Sequence, residues 1–72
     1  MFKIVENIRA GEAEASRREL PLAFTTRAAA IEHIEILQAQ FVHRGRNDEQ
    51  DFWWARNDGE IEVYRWWVEE PN

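Results

Sequence analysis

One segment, from Thr25 to Gly45, has the spacing of apolar residues that an amphipathic helix requires, and this constrains the rest of the chain. These residues recur at intervals of three and four and so share one helix face: Ala30, Ile31, Ile34, Leu37 and Phe41. We predict a helix of about eighteen residues, roughly 27 Å long at 1.5 Å per residue. Thr25 or Thr26 is the expected N-cap. Gly45 is the expected left-handed residue at which the helix ends.

The segments before this helix are predicted to be strands. Phe2 to Ile8 alternates apolar and polar residues, with Glu6 interrupting the apolar face. Glu12 to Leu20 has good helix propensity but no helical stripe, so a second strand is favoured and a helix is the alternative. Its polar composition indicates a solvated edge strand. Pro21 fits such an edge, because proline donates no hydrogen bond to a strand ladder.

The segments after the helix are predicted to form a hairpin. A polar loop, Arg46–Gln50, leads into a strand at Asp51–Arg56 and then into the turn Asn57–Gly59. Glu60–Glu69 is the last strand, and Pro71-Asn72 a frayed end. Residues 1–72 are therefore predicted to be a single α+β domain, strand-strand-helix-strand-strand, with one mainly antiparallel sheet packed on one helix.

Six of the nine aromatic residues lie in this hairpin: Phe52, Trp53, Trp54, Tyr64, Trp66 and Trp67. Side chains alternate across a strand, so adjacent tryptophans must face opposite ways. A three-residue turn places one group on a single face: Phe52, Trp54, Tyr64 and Trp66. A two-residue turn instead groups Trp53, Tyr64, Trp66 and Val68. Either way we expect the face with Tyr64 and Trp66 to have no helix above it, because one helix covers only one face.

Uncovered aromatic surface of this size is typical of an interface or a ligand site. We predict an interface at Trp53, Trp54, Tyr64 and Trp66, used by a non-enzymatic interaction module that forms a homodimer or docks a protein partner. One alternative is a binding protein for a small planar or aromatic ligand held by the tryptophans. Another is that the tryptophans lie at the sheet rim, covered by the stems of Arg17, Arg18 or Arg65, and form no interface.

Charge is unevenly distributed along the sequence. The net charge is −5, and from Asn47 onward eight acidic residues stand against only Arg56 and Arg65. Aromatic side chains on a sheet can stack nucleic-acid bases, but such platforms are ringed by basic residues. An acidic hairpin would repel phosphates, so no nucleic-acid partner is expected.

No pattern of catalytic or metal-binding residues is present. Cysteine is absent, and Ser16, the only serine, has no histidine near it in sequence. His33 and His43 lie ten residues apart on the predicted helix and point in different directions, so they do not share a metal. The acidic cluster Asp48, Glu49 and Asp51 lacks the spaced ligands of a calcium loop. We expect no enzyme activity, no cofactor and no metal.

The sequence also indicates where the protein resides. No apolar run approaches the roughly 20 residues that a membrane span requires, so no membrane partner is expected. The first residues reach Glu6 too soon for the apolar region of a signal peptide. We therefore expect a cytoplasmic protein.

Overall fold

The structure, a computed structural model, describes residues 1–70 as one helix packed on a five-stranded antiparallel sheet. In chain order the elements are β1 (Phe2–Ala10), β2 (Ser16–Phe24), α1 (Arg27–Gln38), β3 (His43–Asn47), β4 (Phe52–Arg56) and β5 (Glu62–Glu69). The order across the sheet is β2-β1-β5-β4-β3. The α+β class and the predicted element order are confirmed, with β3 as an additional short strand. The expected frayed end, Pro71-Asn72, lies outside the described residues.

The second strand is confirmed, and it lies at an edge of the sheet as expected. It begins at Ser16 and runs to Phe24, past the predicted end at Leu20. Its register with β1 shifts opposite the segment that contains Pro21. The proline thus lies at an interruption of the ladder, where its missing N–H costs no strand pairing.

The helix begins where the sequence predicts. Thr26 has an extended backbone, and its side-chain oxygen accepts a hydrogen bond of 3.1 Å from the Ala29 N–H. This satisfies one of the N–H groups that have no partner within the first helical turn. No helix among residues 1–70 is long and apolar enough to cross a membrane.

The helix ends earlier than predicted. It stops at Gln38, and Gly45 lies in β3 without a positive φ, so the predicted helix end is wrong. The buried Gln38 amide donates to the backbone carbonyls of Gly45 at 2.8 Å and Trp54 at 2.9 Å. A tight turn follows, in which the Phe41 N–H donates to the Gln38 carbonyl. Phe41 still packs on the core, and its spacing therefore extends the apolar stripe of the sequence past the end of the helix.

The connection between β4 and β5 is longer than the predicted hairpin turn. Gly59 has the expected positive φ, +79°. However, Arg56 pairs with Val63, so residues 57–61 separate the two strands and neither predicted register is correct.

Contacts with the start of β3 explain the longer connection. The Val42 N–H donates to the Asn57 side-chain oxygen at 2.9 Å. The His43 ring nitrogen lies 2.7 Å from an Asp58 carboxylate oxygen. Two residues expected to form the turn therefore bind the segment that follows the helix, and the strands are joined by a longer connection. His43 also lies in β3 and not on the helix that carries His33, which corrects the sequence-based placement.

The core lies between α1 and one face of the sheet, and its buried members are Ile4, Leu20, Ala30, Ile34, Trp53, Ala55 and Trp66. Glu6 also faces this side and is only 7% exposed. Its two carboxylate oxygens accept hydrogen bonds from Arg18 Nε at 2.9 Å and Trp66 Nε1 at 3.0 Å. The residue that interrupts the apolar pattern of β1 is therefore a paired charge that links three neighbouring strands.

Candidate functional site

Three of the four residues predicted to form an interface lie under the helix. Trp66 is only 1% exposed and pairs across the strands with Trp53, which is also buried. The Phe41 ring centroid lies 4.9 Å from that of Tyr64 and 5.8 Å from that of Trp66. The expectation that Tyr64 and Trp66 have no cover is therefore wrong.

The strand register explains this reversal. In the observed pairing, each residue of β4 lies opposite a β5 residue two positions later than the predicted two-residue turn would place there. Because side chains alternate along a strand, a shift of two residues leaves each side chain on the same face of the sheet. That turn correctly groups Trp53, Tyr64 and Trp66. They lie on the side of β1 that carries Ile4, because Trp66 pairs with Glu6 and Tyr64 with Ile8. The helix covers this side.

Trp54 is the one predicted interface residue on the opposite side of the sheet. It pairs with Gly45 of β3. A Cβ atom built on Gly45 would lie 2.7 Å from Cζ2 of the Trp54 indole, which is closer than carbon atoms can approach. A side chain at this strand position would therefore force the indole to move, because the ring lies against the Gly45 backbone.

We define the uncovered face as the side of the sheet opposite α1. Its central cross-strand row contains Arg17, Asn7, Arg65, Trp54 and Gly45. A second row contains Arg9, Val63, Arg56 and His43. On the other side of the central row lie Glu19, Val5 and Trp67, with the Phe52–Asn47 pair beside them, and Lys3 and Glu69 lie beyond.

The fold sorts charge between the two sides of the sheet. Among the residues of the strands, five basic and two acidic residues share the uncovered face, a net charge of +3: Lys3, Arg9, Arg17, Arg56 and Arg65 against Glu19 and Glu69. The rest of the chain has four basic and twelve acidic residues, a net charge of −8. The acidic half seen in the sequence is therefore not an acidic surface on this side. The alternation of side chains along each strand predicts this distribution of charge, but only once the strand register is known.

Arginine side chains partly cover the aromatic rings of the uncovered face. Arg17 Cζ lies 5.8 Å from the Trp67 ring centroid, and Arg65 Cζ lies 5.1 Å from that of Phe52. Both rings remain partly exposed. Two of the three arginines considered as cover thus contact aromatic rings, whereas Arg18 binds Glu6 on the other side. These contacts support in part the alternative in which arginine side chains cover the aromatic rings, since cation–π packing shields part of the ring surface from solvent.

A cleft of about 450 Å³ opens on the uncovered face, and it is lined by Asn7, Arg9, Gln50, Asp51, Phe52, Arg65, Trp67 and Val68. None of the ion pairs formed among residues 1–70 involves Arg9, Arg56 or Arg65. Two guanidinium groups that form no ion pair among residues 1–70, Arg9 and Arg65, therefore border the same cleft as two partly exposed aromatic rings. The sequence-based interface included neither these arginines nor Phe52 and Trp67.

Asp51, at one side of the cleft, is held by two arginines. Its carboxylate accepts hydrogen bonds from Arg46 at 2.6 Å and from Arg27 at 2.9 Å, and its φ is +56°. Arg46 also donates to Asp48 at 2.7 Å and stacks 4.1 Å from the Trp53 ring centroid. The hydrogen bond from Arg46, supported by Arg27, lowers the pKa of Asp51. The network joins the start of α1 to the β3–β4 turn.

These contacts account for two members of the acidic cluster noted in the sequence. Asp48 and Asp51 pair with arginines. Within residues 1–70 no group of three or more potential ligands has metal-binding geometry.

We expect Asp51→Asn to make stability less dependent on pH. The folded-state pKa of Asp51 lies below its ordinary value of 3.8, so its ionised form stabilises the fold above that value. This contribution is lost as pH falls through the lowered pKa. The urea midpoint of the variant should therefore be lower than that of the wild type at neutral pH, and the difference should shrink in acid. Asparagine tolerates positive φ, so the backbone is not strained.

Glu49→Gln is the matched control for this prediction. It removes an acid from the same turn, and Glu49 takes part in no ion pair among residues 1–70. A difference between wild type and Asp51→Asn that stays constant across the acid range would show that ionisation of Asp51 does not contribute to stability.

No protein-family model, curated protein or solved structure is significantly similar to this chain.

Proposed function

We propose that this chain is a non-enzymatic interaction module that docks a partner protein through the uncovered face. One observation carries the proposal: this face combines partly exposed aromatic rings with arginines that have no ion-pair partner among residues 1–70. Aromatic and arginine side chains are the types enriched at protein interfaces. The cytoplasmic location expected from the sequence is kept as part of this proposal.

Charge favours an acidic partner. Two copies meeting face to face would bring together two surfaces that each carry +3. Such like-charge contacts oppose association. The homodimer expected from Tyr64 and Trp66 is therefore replaced, in this proposal, by a partner that presents carboxylates to Arg56 and its neighbours.

The proposal is tested by titrating the ¹⁵N-labelled chain with a short peptide of alternating glutamate and leucine. Amide shifts are expected at β1, β4 and β5 positions of the uncovered face, and Arg56→Glu should weaken them. Arg44→Glu is the control, because Arg44 pairs with Ala55 and lies on the covered side. Shifts confined to α1, or equal weakening by both variants, would overturn the proposal.

Sedimentation equilibrium of the chain alone tests whether the uncovered face binds a second copy of the chain. Self-association that Arg56→Glu strengthens or weakens would assign the uncovered face to a second copy. Self-association with an unchanged association constant in this variant would place the dimer contact elsewhere on the chain.

A small planar ligand is the second candidate. The specific observation in its favour is the cleft of about 450 Å³ with Trp67 and Phe52 in its lining. A concave site with an apolar wall and a few polar groups is the usual geometry for a small-molecule site.

A further inference from the structure

We propose that the cleft on the uncovered face binds a ligand of nucleoside-phosphate chemistry, with a planar ring against the aromatic side chains and a phosphate at the arginines. This inference rests on the second candidate function, because it requires the cleft to be a ligand site. It adds the chemical class of the ligand and the residues that would recognise each part.

The charge around the cleft suits a phosphate. Arg9 and Arg65 line it, and neither forms an ion pair with residues 1–70. Asp51 is the acidic residue of the lining, but Arg27 and Arg46 already bind its carboxylate. The cleft therefore offers two guanidinium groups to an anion, and guanidinium groups bind phosphate oxygens through paired N–H donors.

The aromatic lining suits a planar ring. Trp67 and Phe52 both contribute to the cleft, and the Arg65 guanidinium lies 5.1 Å from the Phe52 ring centroid. Nucleobases stack on aromatic rings and on guanidinium planes. Asn7 is the residue opposite Arg65 in the neighbouring strand. Its side-chain amide adds a group that can both donate and accept hydrogen bonds. A carboxylate-rich peptide would use the arginines but would supply no ring for Trp67.

The strand register removes the charge argument against nucleotides. Glu62, in the last strand, pairs with Ala10 and lies on the covered side of the sheet. Glu69 shares the uncovered face, but Arg17 binds its carboxylate at 2.7 Å. Of these two acids of the last strand, one is thus directed away from the cleft and the other is paired with an arginine. The charge of −8 on the rest of the chain should keep affinity modest. Salt should lower the affinity further, because it screens the attraction between the arginines and the phosphate.

Binding is tested by titrating the full chain with adenosine monophosphate, adenosine and a short single-stranded oligouridylate, observed by amide chemical shifts. We expect adenosine monophosphate or the oligonucleotide to shift amides around Asn7, Phe52 and Trp67. Adenosine alone should bind more weakly because it has no phosphate for the arginines. Arg9→Gln and Arg65→Gln should each weaken binding about tenfold, the loss expected for one charge-assisted hydrogen bond.

Arg44→Gln is the matched control, since it removes the same charge from the covered side and should change binding less than about twofold. Binding of the mononucleotide supports a free nucleotide as ligand, and binding of the oligonucleotide alone supports a nucleic-acid single strand. Equal binding of adenosine and its monophosphate, or unchanged binding in both cleft variants, would overturn the inference.

The acidic peptide separates this inference from the proposed function. If no nucleotide binds but the glutamate–leucine peptide still shifts the uncovered face, the nucleotide inference fails and the interaction module stands. If neither binds, both fail. Far-ultraviolet circular dichroism verifies that the variants are folded, and the comparison of adenosine with its monophosphate requires no variant.

Discussion

Replacing Trp66 by alanine is expected to destabilise the fold by about 3–5 kcal/mol, the cost typical of truncating a buried tryptophan. The side chain is 1% exposed and lies in the core beneath Phe41. The substitution would leave a cavity and remove the N–H group that donates to Glu6, whose carboxylate would remain buried with only Arg18 as a partner. Urea denaturation followed by circular dichroism measures this loss.

Trp67→Ala is the matched comparison, because Trp67 is the next residue in β5 and faces the uncovered side. Its ring is partly exposed, so truncation should cost less stability than truncation of Trp66. It should also lower the affinity for a ligand in the cleft that Trp67 lines. If Trp66→Ala instead leaves the urea midpoint unchanged and only dissociates a dimer, the assignment of Trp66 to the core is wrong.

Replacing Ile34 by alanine is expected to cost about 2–5 kcal/mol, the usual range for truncating a fully buried aliphatic side chain. Ile34 is 0% exposed and packs in the core between the helix and the sheet. Domains of this size have a stability of only a few kcal/mol, so much of the population is expected to unfold. The thermal midpoint and the urea midpoint should both fall.

Ile36→Ala supplies the control on the same helix. The two substitutions remove the same atoms, but Ile36 is 56% exposed, and its truncation should change stability by no more than about 0.5 kcal/mol. Similar losses from both variants would mean that the helix presents a different face to the sheet.

The parts of the fold that could be predicted from the sequence are those determined by local chemistry. Thr26 caps the helix because its hydroxyl reaches the first-turn N–H of Ala29, a contact within three residues. The alternation in β1 correctly placed Glu6 on the apolar face. Pro21 correctly indicated an edge strand, because the restriction that it imposes is local.

Contacts between distant residues determine the parts that the sequence did not predict. Gln38 ends the helix while its amide binds the carbonyls of Gly45 and Trp54, and no pattern of apolar spacing reports such a bond. Asn57 and Asp58 carry a strong local turn signal, yet they are engaged by the segment that follows the helix. The length of the connection between β4 and β5, and with it the hairpin register, depends on these contacts.

The candidate site could be predicted only in part for the same reason. Trp54 lies on the side of the sheet that has no helix, where only the three-residue turn placed it. Trp53, Tyr64 and Trp66 were assigned there because the sequence could show that two aromatic faces exist but not which one the helix covers. Arg9 could not be linked to Trp67, because the two residues line one cleft only through the pairing of β1 with β5.

The pairing of β1 with β5 has a consequence for how the chain folds as it is synthesised. These are the first and the last of the described strands, yet they lie next to each other in the sheet. A nascent chain can form the β1–β2 hairpin early, but the other edge of β1 has no partner until β5 emerges, which leaves an open template for aggregation. Contacts so distant in sequence also form slowly. We therefore expect chains that stall before β5 to be substrates for chaperones and proteases, because the domain completes its core in one late step.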